Sequence, residues 1–250
     1  MISRDIDYRD GSTNLLGFLA YDERAMDRRP GVLVVHEGLG LNDHAMERAR
    51  RVAGLGYVAL AADMFGDRRQ ASTLEEARAL IGELRATPGK LRARARAALS
   101  TLAALPQVDP ERLGAIGFCF GGSTVLEMAR DGADLRAVVS FHGVLTTDAP
   151  AAIGEVKASV LVCTGADDPL APADHVVAFE RELRAARVAD WQIISYGNTL
   201  HGFTNPSADG SIMPAALYDE SADRRSWSAM AGLFDEAFGS SPRKAREGKK

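Results

Sequence analysis

Short, almost wholly apolar runs alternate along the chain with longer stretches of helical period. Residues 31–35, 57–62, 113–116, 137–141 and 160–164 are near-continuous apolar runs, the pattern of strands covered on both faces. A last run of this kind, 191–196, closes the series. Residues 2–8 and 15–21 flank the turn at Asp10-Gly11 and predict an antiparallel opening hairpin. Helices are predicted over 44–55, with Asn42 or Asp43 as N-cap, over 123–130, over 172–188 and over 215–238. A longer helical region, 73–105, opens on Ser72 or Thr73 ahead of Glu75 and Glu76 and is broken near Pro88-Gly89. Residues 63–71 read as polar loop. Strands alternating with helices predict an α/β fold: a mostly parallel, doubly wound sheet flanked by helices. With no internal repeat or linker, residues 1–239 are expected to form one domain. Residues 240–250 carry Arg243, Lys244, Arg246, Lys249 and Lys250 and are expected to be a disordered tail.

Composition removes several function classes. The formal net charge of −4 is small for 250 residues, and no basic stripe interleaved with aromatics suggests nucleic acid. No apolar stretch is long enough to span a bilayer, and residues 1–10 have no apolar core that would make a signal peptide. Two cysteines do not make a disulfide framework, so both are expected reduced, in a cytoplasm. The partner expected is a small molecule, with no nucleic acid and no membrane.

The chemistry gathers at strand ends. Gly117-Phe118-Cys119-Phe120-Gly121 lies between an apolar run and a helical pattern, which is the strand–turn–helix setting of the G-x-S-x-G nucleophile elbow of α/β-hydrolases, with cysteine in place of serine. Only small residues fit beside so tight a turn, and Gly117, Gly121 and Gly122 meet that demand. A free cysteine is more often a small buried hydrophobe, but the elbow favours a nucleophile. In this fold the acid and then the histidine follow the nucleophile in chain order. Gly165-Ala166-Asp167-Asp168-Pro169 follows the run 160–164, and His201-Gly202-Phe203 follows 191–196. Asp167 and Asp168 compete for the acid. Of the other histidines, His36 is expected to orient its loop, His44 and His175 to face solvent, and His142 to end a strand near the pocket. The N–H groups of Gly38 and Phe120 are the expected oxyanion donors.

His36-Glu37-Gly38 after a central strand, the cysteine elbow, Gly165-Ala166-Asp167-Asp168-Pro169, His201-Gly202-Phe203 and the closing segment from Tyr218 to Trp227 together resemble the dienelactone hydrolase (carboxymethylenebutenolidase) family. The resemblance covers nearly the whole chain. It implies an α/β-hydrolase fold, a Cys119–His201–Asp168 triad, no metal and no cofactor, and hydrolysis of a lactone or small ester through a thioester acyl-enzyme, in a monomer or small homo-oligomer. Asp168 is favoured as the acid because it directly precedes Pro169, as in the family pattern. The resemblance also implies that Glu37 bonds the resting thiol and takes its proton when substrate arrives. Arg68, Phe203, Asn205 and His142 are expected to touch substrate. Asn205 stands where the family carries a carboxylate-gripping arginine, and Arg68 or Arg69 is the nearest match to a second one, so a weaker preference for anionic lactones is expected. A broader esterase or thioesterase is the alternative. A non-catalytic ligand-binding or thiol-sensing protein is disfavoured, since a sensor needs a resolving thiol and Cys163 sits inside an apolar strand.

Overall fold

The computed structural model describes residues 1–24, 27–87 and 89–239; Pro88 and the basic tail 240–250 lie outside the described residues. Eight strands form a single sheet in the order β1-β2-β4-β3-β5-β6-β7-β8. β1 (Ile2–Asp10) and β2 (Thr13–Tyr21) pair as the expected antiparallel hairpin, and β2 runs antiparallel to β4 (Val58–Ala62). From β4 onward all pairs are parallel: β3 (Arg29–Val35), β5 (Val108–Phe118), β6 (Ala137–Phe141), β7 (Ser159–Gly165) and β8 (Trp191–Tyr196).

The continuous apolar runs are explained by helices on both faces of this sheet. Alternate residues of each strand point to opposite faces. Val32, Val34, Ile116, Val139 and Leu161 face one core, where Ala45, Ala49 and Val52 of α1 (Asp43–Gly54) meet Met230 and Phe234 of α6 (Glu220–Phe238). Leu33, Val35, Ala115, Val138 and Val162 face the other. There they meet α2 (Leu74–Arg85), α3 (Lys90–Ala103), α4 (Phe120–Arg130) and α5 (Ala173–Ala185). None of the described helices is long and apolar enough to cross a membrane.

The departures from the sequence expectation are local and have causes. The long helical region divides into α2 and α3 around Gly89, whose φ of +78° suits glycine. α2 opens on Thr73, whose hydroxyl accepts the Glu76 N–H at 3.2 Å while the Glu76 carboxylate accepts the Ser72 N–H at 2.7 Å. α4 begins at Phe120, directly on the elbow, rather than at residue 123. α6 begins at Glu220, not at residue 215. The intervening backbone is diverted: Leu217, Tyr218 and Asp219 donate to the carbonyls of His201, Ala208 and Phe203, and Asp219 then caps the helix at the Ala222 N–H. That diversion ties residues 216–219 to the loop after β8, beside the site.

Candidate active site

Cys119 sits between β5 and α4 at φ +53° and ψ −114°, a backbone conformation that a cysteine adopts only when its surroundings enforce it. They do so by close approach. A Cβ on Gly117 would fall 2.0 Å from the Gly121 carbonyl oxygen, and one on Gly121 would fall 2.2 Å from that of Val35. The elbow is therefore wedged against the end of β3. Beneath it, the Cys119 N–H is shared between the Phe141 carbonyl at 3.0 Å and His142 Nδ1 at 3.1 Å. His142 is fully buried, and its Nε2 reaches the Thr204 hydroxyl at 2.8 Å. Since Nδ1 accepts from Cys119, the ring proton lies on Nε2. Burial keeps this imidazole from charging, and its pKa lies well below the usual value. His142 thus supports the elbow from below instead of touching substrate.

His201, after β8, is held from one side only. Its Nδ1 is 2.8 Å from Asp168 Oδ2, and the other carboxylate oxygen of Asp168 accepts the Leu170 N–H at 2.8 Å. Both side chains are buried, whereas Asp167 is exposed, so the acid beside the imidazole is Asp168. His201 Nε2 is buried without a hydrogen bond of ordinary geometry. The Cys119 thiol nevertheless acts on the ring. Burial opposes the charged imidazole, but the sulfur's charge, the Asp168 bond and the contact with Cys119 outweigh it and lift the His201 pKa to about 10.

The segment after β3 completes the edge. His36 accepts the Met64 N–H at Nε2 (3.3 Å), so its proton lies on Nδ1, which donates to the Glu37 carbonyl at 2.6 Å. That carbonyl and the Gly38 N–H belong to one peptide plane, so His36 fixes the direction of the Gly38 donor. No hydrogen bond within the described residues uses the Gly38 N–H. The Phe120 N–H opens α4 and has no intrahelical carbonyl to meet. The Glu37 side chain departs from expectation. It does not bond Cys119; its Oε2 accepts from Asn205 Nδ2 at 2.6 Å and lies 3.3 Å from His44 Nδ1. Burial favours the protonated form of Glu37, yet these partners outweigh it and hold the pKa at about 2.

Glu37, Gly38, Cys119, Phe120, His201 and Asn205 line one cavity of about 700 Å³. The face of α2 that carries Leu74, Ala77, Arg78, Ile81 and Arg85 forms one wall, and residues 207–213 form another. Besides His142, two further residues expected against substrate lie elsewhere. Arg68 donates to the carbonyls of Leu16 and Gly17 and pairs with Asp5 at 2.7 Å. The cause is Asp63, whose buried carboxylate gathers the N–H groups of Leu16, Phe65, Gly66 and Arg68 and turns the loop toward β2. Phe203 is fully buried behind the site, edge-on to His142 with ring centres 5.1 Å apart. Sequence reasoning missed the cavity-lining arginines Arg78 and Arg85 and sent His44 to solvent. Arg48, one turn on from His44, lies on the buried stripe of α1 with Ala45, Ala49 and Val52. A charged residue in an apolar stripe implies a buried partner, and that was the available signal.

Comparison with known proteins agrees with this fold. Residues 15–238 match the profile of the dienelactone hydrolase family. The chain is similar to the structure of a dienelactone hydrolase-like promiscuous phosphotriesterase from metagenomic libraries, with 47% identity, a TM-score of 0.89, and 95% of this chain and 99% of that one covered. An uncharacterized Caenorhabditis elegans protein is 41% identical over 153 residues, 60% of this chain and 96% of that one. A putative carboxymethylenebutenolidase of Synechocystis sp. is 28% identical over 88% of this chain and 91% of its own.

Proposed function

The chain belongs to the dienelactone hydrolase family and is a carboxylic-ester hydrolase, and from that premise we propose that it cleaves uncharged lactones or small esters through a thioester on Cys119. The observation that carries this reading is the pairing at His201: Nδ1 is occupied by Asp168 at 2.8 Å, Nε2 is buried and unpartnered, and Cys119 lines the same cavity.

In the proposed sequence the Cys119 thiolate attacks the carbonyl carbon. The oxyanion that forms is met by the Gly38 and Phe120 N–H groups. Backbone donors of this kind are worth about 10²–10³ in rate each, because they are already aimed. His201 Nε2 gives its proton to the departing alkoxide, leaving a thioester. A water then attacks the thioester, His201 takes its proton, and the thiolate leaves as carboxylic acid is released. Asp168 keeps the ring proton on Nδ1 throughout. In this reading His201, not Glu37, is the base. Asn205 is neutral and engaged with Glu37, so no cation stands at that position to grip a substrate carboxylate. The free thiols Cys119 and Cys163 fit a reducing compartment such as the cytoplasm.

A second reading is favoured by the 47% identical phosphotriesterase. The same thiolate would attack phosphorus in an uncharged triester, and the same N–H pair would receive the developing negative charge on the phosphoryl oxygen. Both readings are tested by Cys119→Ala, assayed with 4-nitrophenyl acetate and with an aryl dialkyl phosphate. Loss of nearly all turnover with the circular dichroism spectrum retained is the expected result. Turnover within a few-fold of wild type would overturn the assignment.

A further inference from the structure

The Glu37 carboxylate is clamped on one oxygen and open on the other. Asn205 Nδ2 donates to Oε2 at 2.6 Å, and His44 Nδ1 lies 3.3 Å from the same oxygen, an ion-pair distance without hydrogen-bond geometry. No hydrogen bond among the described residues reaches Oε1, which is also absent from the buried polar atoms without partners. Glu37 lines the cavity that holds Cys119, and Oε1 is its carboxylate oxygen without a hydrogen bond to the described residues.

Both clamping groups are themselves fixed. Asn205 Oδ1 accepts the Ser207 N–H at 3.0 Å, which prevents the amide from flipping. Arg48 Nε lies 3.1 Å from His44 Nε2, which also faces the Thr204 carbonyl at 3.3 Å, so the ring is held on its far side with Nδ1 turned toward Glu37. Arg48 in turn pairs with Asp223 of α6 at 2.9 Å and donates to the Thr204 carbonyl, and its side chain is 3% exposed. Glu37 is therefore held at Oε2, and the Asn205 amide adds no positive charge beside it. Arg78 and Arg85 reach the cavity from α2, but both are exposed, where solvent and salt weaken their field.

We propose that Glu37 Oε1 is a substrate-selecting acceptor that favours esters carrying a hydroxyl or ammonium group next to the scissile carbonyl and rejects those carrying a carboxylate there, with His44 as the positioning residue that aims it. The proximity follows from the chain: the Gly38 N–H, expected at the reacting oxygen, directly follows Glu37. This inference rests on ester hydrolysis at Cys119.

The test compares kcat/KM for three phenyl esters of similar size: glycolate, propionate and the malonate half-ester. Propionate serves as the internal reference. Wild type is expected to favour glycolate over propionate, and propionate over malonate, by about tenfold or more at each step, as a charge-assisted hydrogen bond allows. His44→Leu should pull both ratios toward unity. His44→Asn, whose amide nitrogen occupies the place of Nδ1, should restore them, which a purely structural role for His44 would not produce. Wild-type ratios within about threefold, or His44→Asn and His44→Leu giving the same ratios, would overturn the inference. If His44→Leu does not fold, Glu37→Gln decides the matter: the malonate-to-propionate ratio should rise about tenfold, and an unchanged ratio refutes the role of Oε1. Hydrolysis of all three esters by Cys119→Ala at wild-type rates would instead refute the Cys119 mechanism.

Discussion

Asp168→Asn is the sharpest probe of the site, because the structure dictates how the new amide must sit. Asp168 uses one oxygen for His201 Nδ1 and the other for the Leu170 N–H, each at 2.8 Å. In the variant the Leu170 N–H still requires an acceptor, so the amide oxygen turns to it and the NH2 group faces His201. Nδ1 must then accept, which moves the ring proton to Nε2. An imidazole in that tautomer faces Cys119 with a proton and cannot take another. The corresponding substitution in a serine triad lowers kcat by about 10⁴, or about 5.5 kcal/mol of transition-state stabilisation, and the same loss is expected here. Folding should suffer much less. A charge-assisted hydrogen bond is exchanged for a neutral one, a difference of about 1–2 kcal/mol, which lowers Tm by roughly 2–8 °C in a chain of this size. The pH profile supplies an independent sign. His201 is raised to about 10, above its ordinary 6.5, so its contribution to stability is complete below about 6.5 and is lost as pH rises through 10. The alkaline limb of kcat/KM is expected near the upper value, where the proton for the leaving group is lost. Removing the Asp168 charge must move that limb to lower pH. The assay is steady-state hydrolysis of 4-nitrophenyl acetate from pH 5 to 10.5, with thermal unfolding of the same samples. Activity of Asp168→Asn within tenfold of wild type, or an equal loss in Asp167→Asn, would refute the reasoning.

The remaining predictions concern supporting groups. His36→Leu frees the peptide that carries the Gly38 N–H and leaves the Met64 N–H without its acceptor; kcat should fall by about 10–100-fold with KM nearly unchanged, and stability by about 1–3 kcal/mol, read from steady-state kinetics and urea unfolding. Arg68→Ala should leave the kcat/KM ratio between carboxylate-bearing and neutral esters within about twofold of wild type. It should lower stability by about 1–2 kcal/mol, because this side chain joins the loop to β2 and does not meet substrate.

Much of this architecture was legible in the sequence because it depends on local pattern. Six strands announced themselves as apolar runs and two as a hairpin around Asp10-Gly11, and the elbow, the acid loop and the histidine loop lie at strand ends, where order along the chain implies a shared edge. What stayed hidden depends on groups far apart in sequence. The position of His44 is settled by Arg48 and, through it, by Asp223 on α6; Arg68 is turned away by Asp63 and the β2 carbonyls. Helical period places Ala77 and Ile81 on the buried side of α2, but only the tertiary fold reveals that this face and its arginines border the cavity. The late start of α6 arises in the same way, from backbone pairing with the loop after β8 that no local preference encodes.

The division of labour around the cavity bears on how such a protein can diversify. The groups proposed to react are delivered by three strand ends, each immobilised by partners outside the cavity: the Phe141 carbonyl and His142 for Cys119, Asp168 for His201, His36 for the Gly38 peptide. Two long stretches of the wall come from other segments, α2 and residues 207–213, which contribute none of those anchors. A substitution at Ile81 or Ile212 changes what fits without moving a reacting atom. Mutational drift in these walls is therefore free to explore new substrates while hydrolysis itself is inherited intact, so lineages built on this plan can part in diet long before they part in chemistry.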